Sequence, residues 1–127
     1  GLAEETFRRL RKSGSGSYRF EVKLLMINFV TRVVGNHGLL LLPLYPFLQR
    51  YLGSHQRDVT AILAYTVQAC HDSVPPDEIC GLLKAIAHNF VSERCPEEQM
   101  AVGINAARAV CNRVPSVLSL EDEGEGA

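Results

Sequence analysis

The residues with the most chemical capacity in this chain are four cysteines, four histidines and a knot of cations near the amino terminus. Cys70 is followed by His71 and Asp72, and Cys80 lies eight positions before His88. Either set could be imagined as a nucleophile with its base, because a thiolate attacks only where a neighbour keeps it deprotonated. A helix turns about 100° per residue, so the Cys80 and His88 side chains would point about 80° apart. No C-x-x-C occurs, and His37, His55, His71 and His88 are too scattered for the ligand spacing of a structural zinc site. There is no G-x-S-x-G, phosphate-cradling loop, H-E-x-x-H or dinucleotide fingerprint. The residues therefore predict no catalytic group, no metal, no cofactor and no small-molecule substrate. The thiols are expected to be reduced and mostly buried, as in the cytoplasm or nucleus.

Charge offers a different kind of chemistry. Arg8, Arg9, Arg11, Lys12, Arg19 and Lys23 crowd the first part of the chain. They read either as a solvated face paired with Glu4, Glu5 and Glu21, or as a salt-sensitive contact for phosphate or an acidic partner. Arg50 and Arg57 flank a turn and would either pair between repeats, with Asp58, or face a ligand. The formal net charge is −1, and setting aside the acids Glu121, Asp122, Glu123 and Glu125 leaves 13 basic against 10 acidic residues. That excess is too mild to indicate nucleic acid by itself.

The elements that position these groups are helices. In the stretch 55–77, apolar residues at Val59, Ile62, Leu63, Val67 and Cys70, with Thr66 in the one polar gap, mark one buried face. Ala61, Ala64, Tyr65 and Ala69 form a second, small-residue face, so this helix should touch neighbours on two sides. The same spacing recurs at Val22, Leu25, Met26, Phe29, Val30 and Val33. It recurs again at Leu41, Leu44, Tyr45, Leu48 and Leu52, and at Ile79, Leu82, Leu83, Ile86, Ala87 and Phe90. Val74-Pro75 returns 40 positions later as Val114-Pro115. A period of roughly 37–47 residues holding two helices is the signature of HEAT or armadillo repeats.

The prediction is all-α, a HEAT/armadillo-like solenoid of about three helix pairs: 2–12 with 18–34, 42–52 with 57–72, and 78–92 with 97–113. Gly35 is expected to end the second helix, with a tight turn at Asn36-His37-Gly38, and Ser54 to cap the fourth. Gly103, inside the last helix, implies a close helix crossing, and Asn105 a buried, hydrogen-bonded amide. Ser13–Ser17 reads as a surface loop. Residues 1–115 would be the repeat segment and 116–127 an acidic, loosely ordered tail. The longest apolar run, Gly38–Leu48, is short of the ~20 residues that span a bilayer, so no membrane contact is expected. Each end of such a stack exposes a face that wants another repeat, and the chain's start inside a helical pattern is that of a piece of a longer array.

Six stretches carry a family resemblance: RFEVKLLM (19–26), NFVTRVVGNHGLLLLPLYPFLQRYL (28–52), HQRDVTAILAY (55–65), VPPDEI (74–79), KAIAHNFVSERC (84–95) and MAVGINAAR (100–108). Together they resemble the severe-depolymerisation-of-actin homologues over about residues 5–115, in the N-terminal helical-repeat part of that family. The resemblance implies a non-enzymatic scaffold of the nucleus and nucleolus, needed for maturation and export of the 60S pre-ribosome. Its partners would be the pre-60S particle (assembly factors, ribosomal proteins or rRNA) and the remaining repeats of a longer chain. A link to actin organisation also attaches to the family. The alternative is a general armadillo-like peptide-binding adaptor or transport factor. Asn36, His37, His55, Arg57, Asp58, Pro75, Pro76, Asp77 and Asn105 fall in the matching motifs, as holders of turns and caps or as contacts. The candidate partner-contact residues are thus Arg8, Arg9, Arg11, Lys12, Arg19, Asn36, His37, Arg50, His55 and Arg57.

Overall fold

The computed structural model describes residues 1–13, 16 and 18–119. The expected acidic tail from residue 120 onward lies outside the described residues, as do Gly14, Ser15 and Ser17 of the expected loop. Six helices follow one another: α1 (Leu2–Lys12), α2 (Phe20–His37), α3 (Leu44–Arg50), α4 (Val59–Gln68), α5 (Pro76–Phe90) and α6 (Glu97–Arg113). A helical turn at 116–119 follows, and the described residues contain no strand. No helix among them is long and apolar enough to cross a membrane.

The helices form two layers. In one, α2 packs on α4 and α4 on α6; in the other, α3 packs on α5, and Phe7 of α1 meets Phe47 of α3 edge to face at 5.3 Å. α1·α2 and α5·α6 bridge the layers. This is the stacking of a helical-repeat solenoid, in which each unit touches mainly its neighbours. The middle pair is the loosest, since α3 packs chiefly on α5 and α4 on α2 and α6. The Tyr45 hydroxyl nevertheless ties it together, donating to the Ala69 carbonyl at 2.9 Å.

Apolar spacing explains most of the core. Leu44, Tyr45, Leu48 and Leu52 are buried, as are Ile62, Leu63 and Cys70, and Ile79, Leu82, Ile86 and Phe90. Thr66 fills its polar gap by returning its hydroxyl to the Ile62 carbonyl at 2.8 Å. Pro43 and Pro46 stand at the cap and in the first turn of α3, where a missing N–H costs little.

α2 departs from its expected stripe. Its buried face is Ile27, Val30, Thr31 and Val34, while Val22, Leu25 and Phe29 are 39%, 69% and 37% exposed. The helix is apolar nearly all round, so its sequence offers two apolar stripes, and the fold buries the one that lies against its neighbours. Three more expectations are corrected. Gly35 lies inside α2; Gly38, with φ +61°, ends the helix, so Asn36 and His37 are helical. Asp58, itself at φ 55°, stands at the N-cap of α4 in place of Ser54. Asn105 is exposed on α6, where no neighbouring helix covers it.

The glycines inside helices mark close approaches. A Cβ on Gly35 would overlap the Gln68 carbonyl at the end of α4, and one on Gly103 would overlap Phe90 of α5. A polar ladder runs through the same layer. The Gln68 amide donates to Asn28 Oδ1 at 2.9 Å and to Thr31 Oγ1 at 2.8 Å, and Arg113 of α6 reaches the carbonyls of Cys70 at 3.0 Å and Gln68 at 3.2 Å. Carbonyls at a helix end have no partner within the helix, so this arginine caps α4 from the next repeat. Packing continues past Pro115, because Val117 is 2% exposed and joins the core.

Candidate partner-contact edge

Short connections between packed helices make successive helices antiparallel, which sorts the loops onto two edges. The connections at 51–58 and 91–96 share one edge with the C-terminal end of α1 and the start of α2, and those at 38–43 and 69–75 share the other. Arg11, Lys12, Arg19, Arg50, His55 and Arg57 all belong to the first edge or the helix ends that meet it. Asn36 and His37, at the C-terminal end of α2, lie on the opposite edge, so the fold does not bring them to the rest.

On α1, Glu5 organises two of the cations. Arg8 forks onto it at 2.7 and 3.0 Å, and Arg9 adds a contact of 3.2 Å. These hydrogen bonds, Arg8 first, hold the Glu5 carboxyl down at about 2, well below the usual carboxylate range. The Arg11 guanidinium lies over the Phe7 ring, 5.6 Å from its centre. The described residues give Arg11, Lys12 and Arg19 no ion pair. Residues 1–23 hold six cations against three acids, so the structured chain's positive excess is concentrated here.

Arg57 acts between repeats. It donates to Glu21 of α2 at 2.8 Å, stands 3.6 Å from Asp58 and covers the Phe20 ring at 5.1 Å. The Glu21 carboxyl is lowered first by its own backbone amide and then by Arg57. Arg50 lies over Phe47 at 5.6 Å.

Two adjoining hollows open beside α1. One, of about 520 Å³, is lined by Phe7, Arg8, Arg11, Lys12, Leu41 and Pro43, with Glu4 at its side. The other, of about 360 Å³, is lined by Arg8, Arg9, Lys12, Ser13 and Tyr18. At the 51–58 and 91–96 connections a wider groove of about 850 Å³ includes Ser54, His55, His88, Asn89, Arg94 and Gln99. Tyr18, Leu41, Pro43 and Arg94 were absent from the sequence candidates. Arg94 could have been found from its place in a loop equivalent to 51–58; the others join the cations only through the fold.

The thiol Cys70 is sealed away. It is fully buried, its Sγ faces the Thr66 carbonyl at 3.4 Å, and burial pushes its pKa up to about 12. His71 is turned elsewhere, its Nε2 2.8 Å from the Leu39 carbonyl and its Nδ1 accepting from the Ser73 amide at 3.2 Å. Among the described residues no group of three or more His, Cys, Asp or Glu could hold a metal ion.

The family model described as "SDA1, HEAT repeat" matches residues 1–122. The chain is 45% identical to the Protein SDA1 homolog of Nematostella vectensis, covering 94% of this chain and 17% of that protein. It is 48% identical to the Protein SDA1 homolog of Caenorhabditis elegans over 76% of this chain and 12% of the relative. It is 43% identical to Protein sda1 of Schizosaccharomyces pombe over 94% of this chain and 17% of the relative. The chain thus spans less than a fifth of the length of these relatives.

Proposed function

The chain belongs to the SDA1 family, and from that premise we propose that it serves as a non-enzymatic docking scaffold in biogenesis and nuclear export of the large (60S) ribosomal subunit. The reading places it in the nucleus and nucleolus, on pre-ribosomal protein or rRNA, with further repeats of a longer chain as its immediate neighbours. The observation that carries it is an open stack whose chemistry lies at its surface. Val22, Leu25 and Phe29 leave an apolar face of α2 uncovered, and the cations of α1 line one edge. An uncovered helix face at the side of a repeat stack suits a further packed helix. The burial of Cys70 removes one of the two cysteines a nucleophilic reading would use.

Gradient sedimentation of a tagged full-length version tests this. It should travel with large-subunit precursors, and its absence from those fractions would overturn the reading. One observation favours a second reading, a peptide-binding adaptor or transport factor: the groove beside His55 and His88, whose lining includes the amides of Asn89 and Gln99. On that reading an isolated extended peptide would protect His55 and His88 from chemical modification with no ribosomal particle present.

A further inference from the structure

The two hollows beside α1 adjoin at Arg8 and Lys12, which line both, and together they offer a track past the helix. Its walls are of two kinds. Arg8, Arg11 and Lys12 supply positive charge, while Leu41 and Pro43 on one side and the Tyr18 ring on the other supply apolar surface. Arg19, next to Tyr18 in the chain, is exposed at the N-cap of α2. Arg8 spends Nε and Nη2 on Glu5, and Nη1 lies outside that fork. The Arg11 guanidinium lies over Phe7, 5.6 Å from the ring centre, and among the described residues it has no carboxylate partner.

We infer that this track binds single-stranded RNA, with the α1 cations on successive phosphates and Tyr18, Leu41 and Pro43 against the bases. Single strands are bound where a positive groove follows the backbone and apolar or aromatic side chains receive the bases. The arrangement suits RNA better than an acidic peptide, because carboxylate side chains would need the charge and leave the apolar walls unused. Arginine's planar fork also matches phosphate oxygens two at a time. The inference rests on the docking reading above and names one of its partners.

The test uses the 127-residue chain and a fluorescein-labelled oligouridylate, read by anisotropy across a salt series. Three phosphate contacts give a slope of log affinity against log salt of about −2 for a single strand, a fall of about 20-fold between 50 and 200 mM salt. Arg8→Ala/Arg11→Ala/Lys12→Ala should make the slope shallower by about 2. A matched variant, Arg32→Ala/Lys84→Ala/Arg108→Ala, removes the same charge from exposed positions elsewhere and should leave binding near that of the unaltered chain. Circular dichroism verifies that both variants keep their helices. Equal losses in the two variants would overturn the site, and so would binding indifferent to salt. Polyglutamate competing as well as RNA would overturn it in favour of an acidic protein partner. The two readings fail separately. If the full-length protein enters precursor fractions while the chain does not bind RNA, this inference alone is lost; if it stays out of them, the docking reading falls.

Discussion

Cys70 and Tyr45 sit side by side in the core, both fully buried, and both are ionisable groups that the fold keeps neutral. Burial raises the Cys70 pKa from 9.0 to about 12 and moves that of Tyr45 above its ordinary 10.0. The unfolded chain loses these protons first. Stability is therefore full below about pH 9 and falls as pH rises toward the folded values, by about 1.4 kcal/mol per pH unit for each group in play. Urea unfolding at stepped alkaline pH should show that decline, and Cys70→Ala should remove the part that begins near pH 9. The same burial predicts that iodoacetamide labels Cys70 only after unfolding, as mass spectrometry would show. Gly35 is a residue of a different kind. Alanine there gains about 1 kcal/mol of helix propensity but drives a methyl group into a backbone carbonyl, an overlap that costs about 1–3 kcal/mol or more. Gly35→Ala is expected to destabilise, whereas Gly53→Ala, with open space around it, stays within about 0.5 kcal/mol.

Between helices, the ties are polar as well as apolar. Arg113→Ala would strip two hydrogen bonds from the end of α4, a loss of about 1–3 kcal/mol in chemical denaturation. Lysine could not restore both, because its single ammonium lacks the fork. This ladder was not legible in the sequence, since Asn28, Gln68 and Arg113 are 40 and 45 positions apart and nothing local links them. What was legible was one-sided periodicity, and it located the buried faces of α3, α4 and α5 because their opposite faces are polar or small. On α2 the same reasoning held for Val30 and Met26 but not for Val22, Leu25 and Phe29, because neighbours and not periodicity decide which side of an apolar helix is covered. Neighbouring residues of α2 should report this. Leu25→Arg, at an exposed position, is expected to change stability by no more than about 0.5 kcal/mol, whereas Ile27→Ala costs about 2–5 kcal/mol. Helix ends were misread for a related reason: Asp58 and Gly38 terminate their helices through left-handed backbone, a choice left open by the residue types around them.

For the molecule as a whole, the layered stack follows from the repeat period, and the family match over residues 1–122 agrees with it. The cations of α1 were visible because they are adjacent in sequence. The walls that turn them into a track were not, because Leu41 and Pro43 reach α1 from the connection between α2 and α3. Every extensive helix–helix contact in the stack joins helices that are adjacent or next-but-one in the chain. During synthesis, then, the contacts among these six helices need no distant partner. α2 can settle on α1 and bury its Ile27–Val34 face once α4 has emerged, and α4 packs likewise on α2 and then on α6. Contacts of such short range favour fast folding. Among these six helices, assembly can therefore follow the order of synthesis.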